Sequence, residues 1–212
     1  MKKIIALYIL PGLILFSCIK PEIIPAPEQK VVLTAYFKGK INNTDVKWYQ
    51  NQDDYDCEPT KSKNTFQEQG KLSQAVYFAE MKSSSVKTAI KIGIGSVLWD
   101  YTTAEDPTKY LFDDFMTKLN SSKIKYSKEA IDGFEVKYTD KLGRAWLSSA
   151  KSVNIQNVEF ISVKQESDVQ NDYSKFVSSF NCWVYRTYME DTIQKIDSLH
   201  IEEGQFKGWF VR

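Results

Sequence analysis

The chain has 212 residues, of which 42% are hydrophobic, 14% aromatic and 26% charged. This composition predicts a globular protein with a buried core and excludes a bundle of membrane helices, which would carry far fewer charges. The formal net charge is +1, from 28 basic and 27 acidic side chains. Nucleic acid is therefore not expected as a partner, because no positive field is available to hold a phosphate backbone.

The N-terminal residues predict a secretory signal peptide. Residues 1–3 carry two lysines, and residues 4–16 form an apolar run too short to span roughly 30 Å of hydrocarbon. Leu15, Phe16 and Ser17 then precede Cys18, a pattern that resembles the lipobox of bacterial lipoproteins. This resemblance implies that residues 1–17 are a lipoprotein signal peptide, and that acyl chains such as palmitate on Cys18 anchor the protein in the bilayer. The alternative is an ordinary signal peptide with an incidental cysteine.

The next residues predict a tether followed by a single domain. Residues 18–30 contain Pro21, Pro25 and Pro27, a composition typical of an extended linker. Residues 31–212 are then expected to form one domain.

Hydrophobic periodicity predicts a mainly β domain. Alternation over residues 31–49 predicts a hairpin that turns at 42–45, and the polar residues 50–70 are interpreted as a long loop. Strands are predicted near 75–81 and 86–98, and a helix over 107–119, capped by Asp106. A second hairpin over 134–147, strands over 153–163 and 176–186, and a final hairpin turning at 202–204 complete the pattern. These elements predict an antiparallel two-layer β-sandwich or jelly roll with one short helix.

Three segments resemble small surface lipoproteins of Bacteroidota, a group of uncharacterised function. They are TAYFKGKINNTDVKW at 34–48, GFEVKYTDKLGRAW at 133–146, and the pair FNCWVY and GQFKGWF between 180 and 210. The resemblance implies a β-sandwich-like domain and an outer-membrane location, at either the periplasmic or the surface face. It implies no site residues.

The cysteines outside the signal region allow one disulfide. Cys57 lies in an acidic segment and Cys182 in a strand pattern, so a bridge would join an early loop to a late strand. The alternative is that Cys182 is a small buried hydrophobic residue.

Few catalytic constellations are available. His200 is the chain's single histidine, which excludes His-rich metal sites, and no G-x-S-x-G motif accompanies it. The acidic segment Asp53, Asp54, Asp56 and Glu58 is a weak calcium candidate, because Ca²⁺ prefers carboxylate oxygens, and a solvated loop is the simpler interpretation. Cofactors are otherwise not expected.

Tryptophans are the most informative candidates for binding. Trp48, Trp99, Trp146 and Trp183 fall near the ends of predicted strands, where exposed rings could stack on sugars, or could instead fill the core. We therefore expect a lipid-anchored envelope protein with a non-catalytic binding or assembly role and an unknown protein or glycan partner. The first alternative is a glycan-binding surface lipoprotein of a polysaccharide-uptake system. The second is a glycoside hydrolase, which requires two carboxylates facing one cleft.

Overall fold

The structure, a computed structural model, describes residues 30–212. The predicted signal peptide (1–17), Cys18 and nearly all of the predicted tether lie outside the described residues. The described part contains ten strands and one α-helix: β1 Tyr36–Ile41, β2 Thr44–Tyr49, β3 Tyr55–Asn64, β4 Ser73–Ser83, β5 Ala89–Trp99, α1 Lys109–Lys118, β6 Phe134–Thr139, β7 Ala145–Ser148, β8 Asn157–Ser167, β9 Asp172–Glu190 and β10 Ile193–Val211. The predicted mainly β, antiparallel class with one short helix is confirmed.

The ten strands form one antiparallel sheet that curls into a half-barrel. Their order is β2-β1-β10-β9-β7-β6-β5-β4-β3, and β8 pairs with β9 off this path. The strands at the two ends of this order, β2 and β3, follow each other in the chain and are joined by residues 50–54 alone. Because this turn is short, the sheet must curl until its two edges approach each other.

Opposite walls of the half-barrel act as the two layers of a sandwich-like fold. A Cβ built on Gly208 of β10 would lie 3.5 Å from the Cβ of Ala79 on β4, which shows how closely the walls meet. Phenylalanine rings fill the space between them, and Phe176 stacks on Phe210 with ring centroids 4.3 Å apart. No helix within residues 30–212 is long and apolar enough to cross a membrane.

The first hairpin is confirmed and the long loop that was predicted to follow it is wrong. Asn42 and Asn43 both have positive φ, 51° and 65°, as a two-residue type I′ turn requires. Residues 55–64 of the predicted loop form β3, in which Tyr55 and Cys57 point into the core while their neighbours face solvent. An edge strand with one solvent-exposed face needs few aliphatic residues. Charged side chains discourage its open edge from pairing with another chain.

The predicted final hairpin is also wrong, because β10 continues straight through residues 202–204. Its hairpin partner is β9, across a turn at Asp191 and Thr192. The predicted turn is instead a β-bulge, in which Glu203 has a φ of 51°. The ring of Phe180 lies so close to Gly204 that a Cβ there would approach it to 2.8 Å, so this position needs glycine.

Helix α1 covers one end of the half-barrel. It begins after Thr108, whose hydroxyl accepts from Leu111 N, and not after Asp106 as predicted. Asp106 forms ion pairs with Lys61 and Lys63 instead, at 2.7 and 3.1 Å. The buried helix residues Phe112 and Met116 close this end of the core.

The start of the described chain lies at the same end as α1. Asp172, the first residue of β9, forms an ion pair with Arg212 at 2.6 Å, and Arg212 also donates to Pro107 O just before the helix. Lys175 Nζ donates to Val32 O, which places the N-terminal segment beside them.

Candidate ligand-binding cleft

A cleft lies at the end of the half-barrel opposite α1. Its volume is about 530 Å³. Turns β1–β2, β4–β5 and β6–β7 surround it, together with the facing edges β2 and β3. The lining residues are Ile41, Thr44, Asp45, Val46, Lys47, Trp48, Asp53, Tyr55, Val86, Thr88, Tyr138 and Lys141.

Three aromatic rings form the apolar wall of the cleft. The ring of Trp48 is nearly parallel to that of Tyr55, with centroids 4.8 Å apart, and to that of Tyr138, at 6.4 Å. Phe37 packs against Trp48 from the core at 5.2 Å. These neighbours hold the half-buried indole in one orientation, so little conformational entropy would be lost when a ligand contacts it.

Buried hydroxyl groups adjoin the aromatic wall. The Tyr55 and Thr88 hydroxyls are hydrogen-bonded to each other. Burial raises the pKa of Tyr55, and it also raises the pKa of Tyr138, where the charge of Asp140 adds to the effect. Both phenols therefore stay neutral at physiological pH.

The charged groups of the cleft are balanced. Asp45 and Asp53 provide two carboxylates, and Lys47 and Lys141 provide two ammonium groups. All four side chains are on solvent-exposed residues at the mouth of the cleft. The cleft therefore has polar groups of both signs without a strong net field.

A buried carboxylate organises the turn that carries Lys141. Asp140 accepts hydrogen bonds from the backbone N of Leu142 and Arg144, from Arg144 Nε at 2.6 Å, and from the Trp146 indole at 3.3 Å. Burial acts to raise the pKa of this carboxyl, but the hydrogen bonds from Arg144, Trp146 and Leu142 outweigh burial and lower it. The β6–β7 turn at the cleft mouth is thus held by an ionised side chain.

The four predicted platform tryptophans do not form one surface. Trp99 and Trp146 are buried, at 3% and 4% exposure, and the indole of Trp99 donates to Ala104 O. Of the two possibilities left open by the sequence for these residues, the structure supports the core and not an exposed stacking platform. Trp48 lines the cleft, and Trp183 lies on the outer face of β9.

The outer face near Trp183 carries the histidine. The His200 ring stacks on Trp183 at 4.5 Å, with an angle of 7° between the planes. Its Nδ1 lies 2.7 Å from Glu202 Oε1, and its Nε2 lies 2.6 Å from Asn181 Oδ1. His200 is thus fully engaged with its own strands, as a surface residue of the sheet.

The four carboxylates of the acidic segment do not converge on one point in the structure. Asp53 lines the cleft, Asp54 lies in the turn before β3, Asp56 accepts from Gln50 Nε2, and Glu58 forms an ion pair with Lys82 at 2.6 Å. Among residues 30–212, no three His, Cys, Asp or Glu side chains are arranged to hold a metal ion.

Cys57 and Cys182 are both free and buried, so the disulfide that the sequence allows is not formed in the structure. Cys57 lies on β3 and Cys182 on β9, and four strands separate these two in the sheet. Burial raises the pKa of each thiol to about 12. The alternative interpretation of Cys182 as a small buried residue fits the structure.

Sequence reasoning missed Tyr55 and Tyr138 as parts of a binding site. Local sequence patterns place Tyr138 only in a strand, and they place Tyr55 in a polar segment that resembles a loop. The alternation of Tyr55 and Cys57 with acidic residues was the available signal, since a period of two predicts a strand with one buried face.

Comparison with known protein families, with curated proteins and with solved structures finds no match to this chain.

Proposed function

We propose that this protein is a lipid-anchored, non-catalytic binding protein of the bacterial outer membrane and that its ligand occupies the Trp48 cleft. The observation that carries the proposal is the cleft itself: about 530 Å³, with three fixed aromatic rings on one wall and hydroxyl and charged groups around them. Concave sites with an apolar wall and a few convergent polar groups are the usual geometry of ligand binding.

The position of Val32, near the start of the described residues, supports this arrangement. Its carbonyl oxygen accepts from Lys175 at the end that carries α1, and the cleft opens at the opposite end. A tether from an acylated Cys18 would therefore attach the domain by one end and leave the cleft facing away from the lipid.

Among ligands, the chemistry of the cleft favours a glycan. Sugar rings present C–H groups that pack on aromatic faces, and their hydroxyls bond to carboxylates, hydroxyls and ammonium groups. Two carboxylates and two ammonium groups line the mouth, so a glycan of low net charge suits the cleft better than a polyanion. This supports a role as a glycan-binding lipoprotein in polysaccharide uptake.

The glycoside hydrolase alternative also has an observation in its favour, because Asp45 and Asp53 face the same cleft. Both are exposed to solvent, however, whereas a glycosidase's general acid sits in shielded surroundings. Incubation of the protein with each glycan that binds, followed by chromatography of the products, separates the two functions. Cleavage that is lost in Asp45→Asn or Asp53→Asn would establish the hydrolase.

The binding test is a titration of oligosaccharides against the wild-type chain, Trp48→Ala and Trp183→Ala. Trp183 is a matched control, since it is also a partly exposed tryptophan but lies outside the cleft. We expect one glycan to raise the melting temperature of the wild type and of Trp183→Ala, and to leave Trp48→Ala unchanged. If no glycan acts through Trp48, cross-linking in native membranes becomes the search for a protein partner.

The anchor is tested separately. Cys18→Ala should release the chain from the membrane fraction and abolish incorporation of a labelled fatty acid. A variant that stays in the membrane and still takes up label would refute anchoring at this cysteine.

A further inference from the structure

The hairpin formed by β9 and β10 extends beyond the body of the half-barrel as a two-stranded arm. Strand β1 pairs with β10 only from Ile201 onward, and β7 reaches β9 no further than Tyr185. Residues 193–198 are exposed throughout. At about 3.3 Å per residue, the arm projects roughly 25 Å from the sheet.

The outer edge of β10 in this arm has no partner strand within residues 30–212. His200 O accepts from Asn42 N, so the backbone groups of His200 point to this edge. Backbone groups of alternate residues in an antiparallel strand point the same way, so those of Gln194, Ile196 and Ser198 point there too. An open edge of this kind is a template for another strand.

The sequence along this edge is complementary to itself. From Ile193 to Leu199 the sequence is Ile-Gln-Lys-Ile-Asp-Ser-Leu. Residues at equal distances before and after Ile196 match in polarity, and the charged residues on the two sides have opposite signs. In an antiparallel pair centred on Ile196, Lys195 of each copy lies opposite Asp197 of the other, Gln194 lies opposite Ser198, and Ile193 opposite Leu199. Oppositely charged cross-strand pairs are stabilising, and this register forms two of them.

The backbone pattern fits the same register. A two-fold axis can pass through an antiparallel ladder at a hydrogen-bonded pair of equivalent residues, and Ile196 has its N–H and C=O on the open edge. Pairing through residues 194, 196 and 198 would form about six backbone hydrogen bonds between two copies. Lys195 and Asp197 then fall in the closer, non-hydrogen-bonded pairs, in which side chains approach most nearly.

The length of the unpaired edge also matches the length of the symmetric segment. The symmetric segment ends at Leu199, the last residue before Asn42 occupies the edge at His200. Strand β3, another open edge of the described sheet, differs from this one. It carries several lysines and a proline, features that discourage pairing.

We propose that the open edge Ile193–Leu199 of β10 pairs with the same edge of a second copy of this chain, in an antiparallel register centred on Ile196. The two half-barrels would then share one continuous sheet. This inference is independent of what the Trp48 cleft binds.

Cysteine cross-linking in native membranes tests the register on the full chain. In the proposed pair the two Ile196 Cα atoms lie about 5.5 Å apart, within the range that a disulfide spans. Met189 is a matched control because it and Ile196 have the same exposed fraction, 64%, on the same face of the arm. Two Met189 residues would lie about 20 Å apart across the axis, too far for a bridge.

We expect oxidation to link Ile196→Cys into a dimer, and to leave Met189→Cys and the wild type monomeric on a non-reducing gel. Equal dimer yields from the two cysteine variants, or no dimer from Ile196→Cys, would overturn the proposal.

Charge exchange in the Ile196→Cys background tests the ion pairs. Lys195→Asp sets aspartates opposite each other at two places and should weaken association about tenfold. Addition of Asp197→Lys reverses both charges and restores the complementary pairs, so the dimer yield should return. A double variant that stays as weak as Lys195→Asp, with an unchanged melting curve, would refute the register.

Discussion

Asp140 is expected to stabilise the cleft mouth strongly, because its buried carboxylate accepts from four donors. Asp140→Ala would leave the Trp146 indole N–H and two backbone N–H groups without their partner and would also remove the ion pair with Arg144. Hydrogen bonds to a charged group contribute about 1.5–3 kcal/mol each and do not add fully, so we expect a loss of about 3 kcal/mol. For a domain of this size, that loss lowers the melting temperature by roughly 6–12 °C.

Urea unfolding followed by tryptophan fluorescence measures the loss in the free energy of unfolding. Asp168→Ala is the control, since Asp168 also accepts from two backbone N–H groups, those of Gln170 and Asn171, but in an exposed turn. If Asp140→Ala lowers the free energy of unfolding no more than Asp168→Ala does, the argument that burial and the four donors make this carboxylate important is refuted.

The effect of Asp140→Ala should depend on pH. The pKa of Asp140 is lower in the folded protein than in the unfolded chain. Its stabilisation is therefore fully present above the unfolded value of about 3.9 and is lost as the pH falls through the lower, folded value. The stabilities of the wild type and the variant should differ most near pH 7 and converge in strong acid. A difference that is constant with pH would show that the charge contributes nothing.

Two further predictions concern the core. Phe176→Ala should lower the free energy of unfolding by about 3–5 kcal/mol, because Phe176 is 2% exposed and stacks on Phe210. The control Tyr110→Ala, at a site that is 76% exposed, should change the free energy of unfolding little. Comparable losses for the two variants in urea unfolding would contradict this account. Cys57 and Cys182 should resist a thiol reagent at pH 8 in the folded protein, since each is buried with its pKa raised to about 12. Both should react once guanidinium unfolds the protein. A single reactive thiol before unfolding, or none after it, would be inconsistent with two free buried cysteines.

Local sequence signals predicted those parts of the fold that depend on short segments. The Asn42-Asn43 turn and the alternation around it led directly to the β1–β2 hairpin, because both the turn and the pleat are properties of neighbouring residues. The helix was also predicted, though its start was misplaced. Asp106 has the right chemistry for a cap, but its carboxylate is held by Lys61 and Lys63 from β3, which no local pattern shows.

Segments whose environment is set by distant strands differ most from what local patterns predict. The sequence of β3 resembles that of a loop, because an edge strand with one solvent-exposed face carries few apolar residues. Residues 202–204 have the composition of a turn, yet β10 passes straight through them, since Phe180 of β9 packs on Gly204 and the extra residue forms a bulge.

The sequence by itself determined the mainly β class, the position of the one helix and Trp48 as a binding candidate, because these follow from periodicity, turn chemistry and residue type. Only the tertiary structure decided which aromatic residues meet. Curling of the sheet sent Trp99 and Trp146 into the core and brought Trp48, Tyr55 and Tyr138 together around one cleft. The physical reason is that curvature depends on how all ten strands close over a shared core, and contacts between β2, β3 and β6 exist only after that closure.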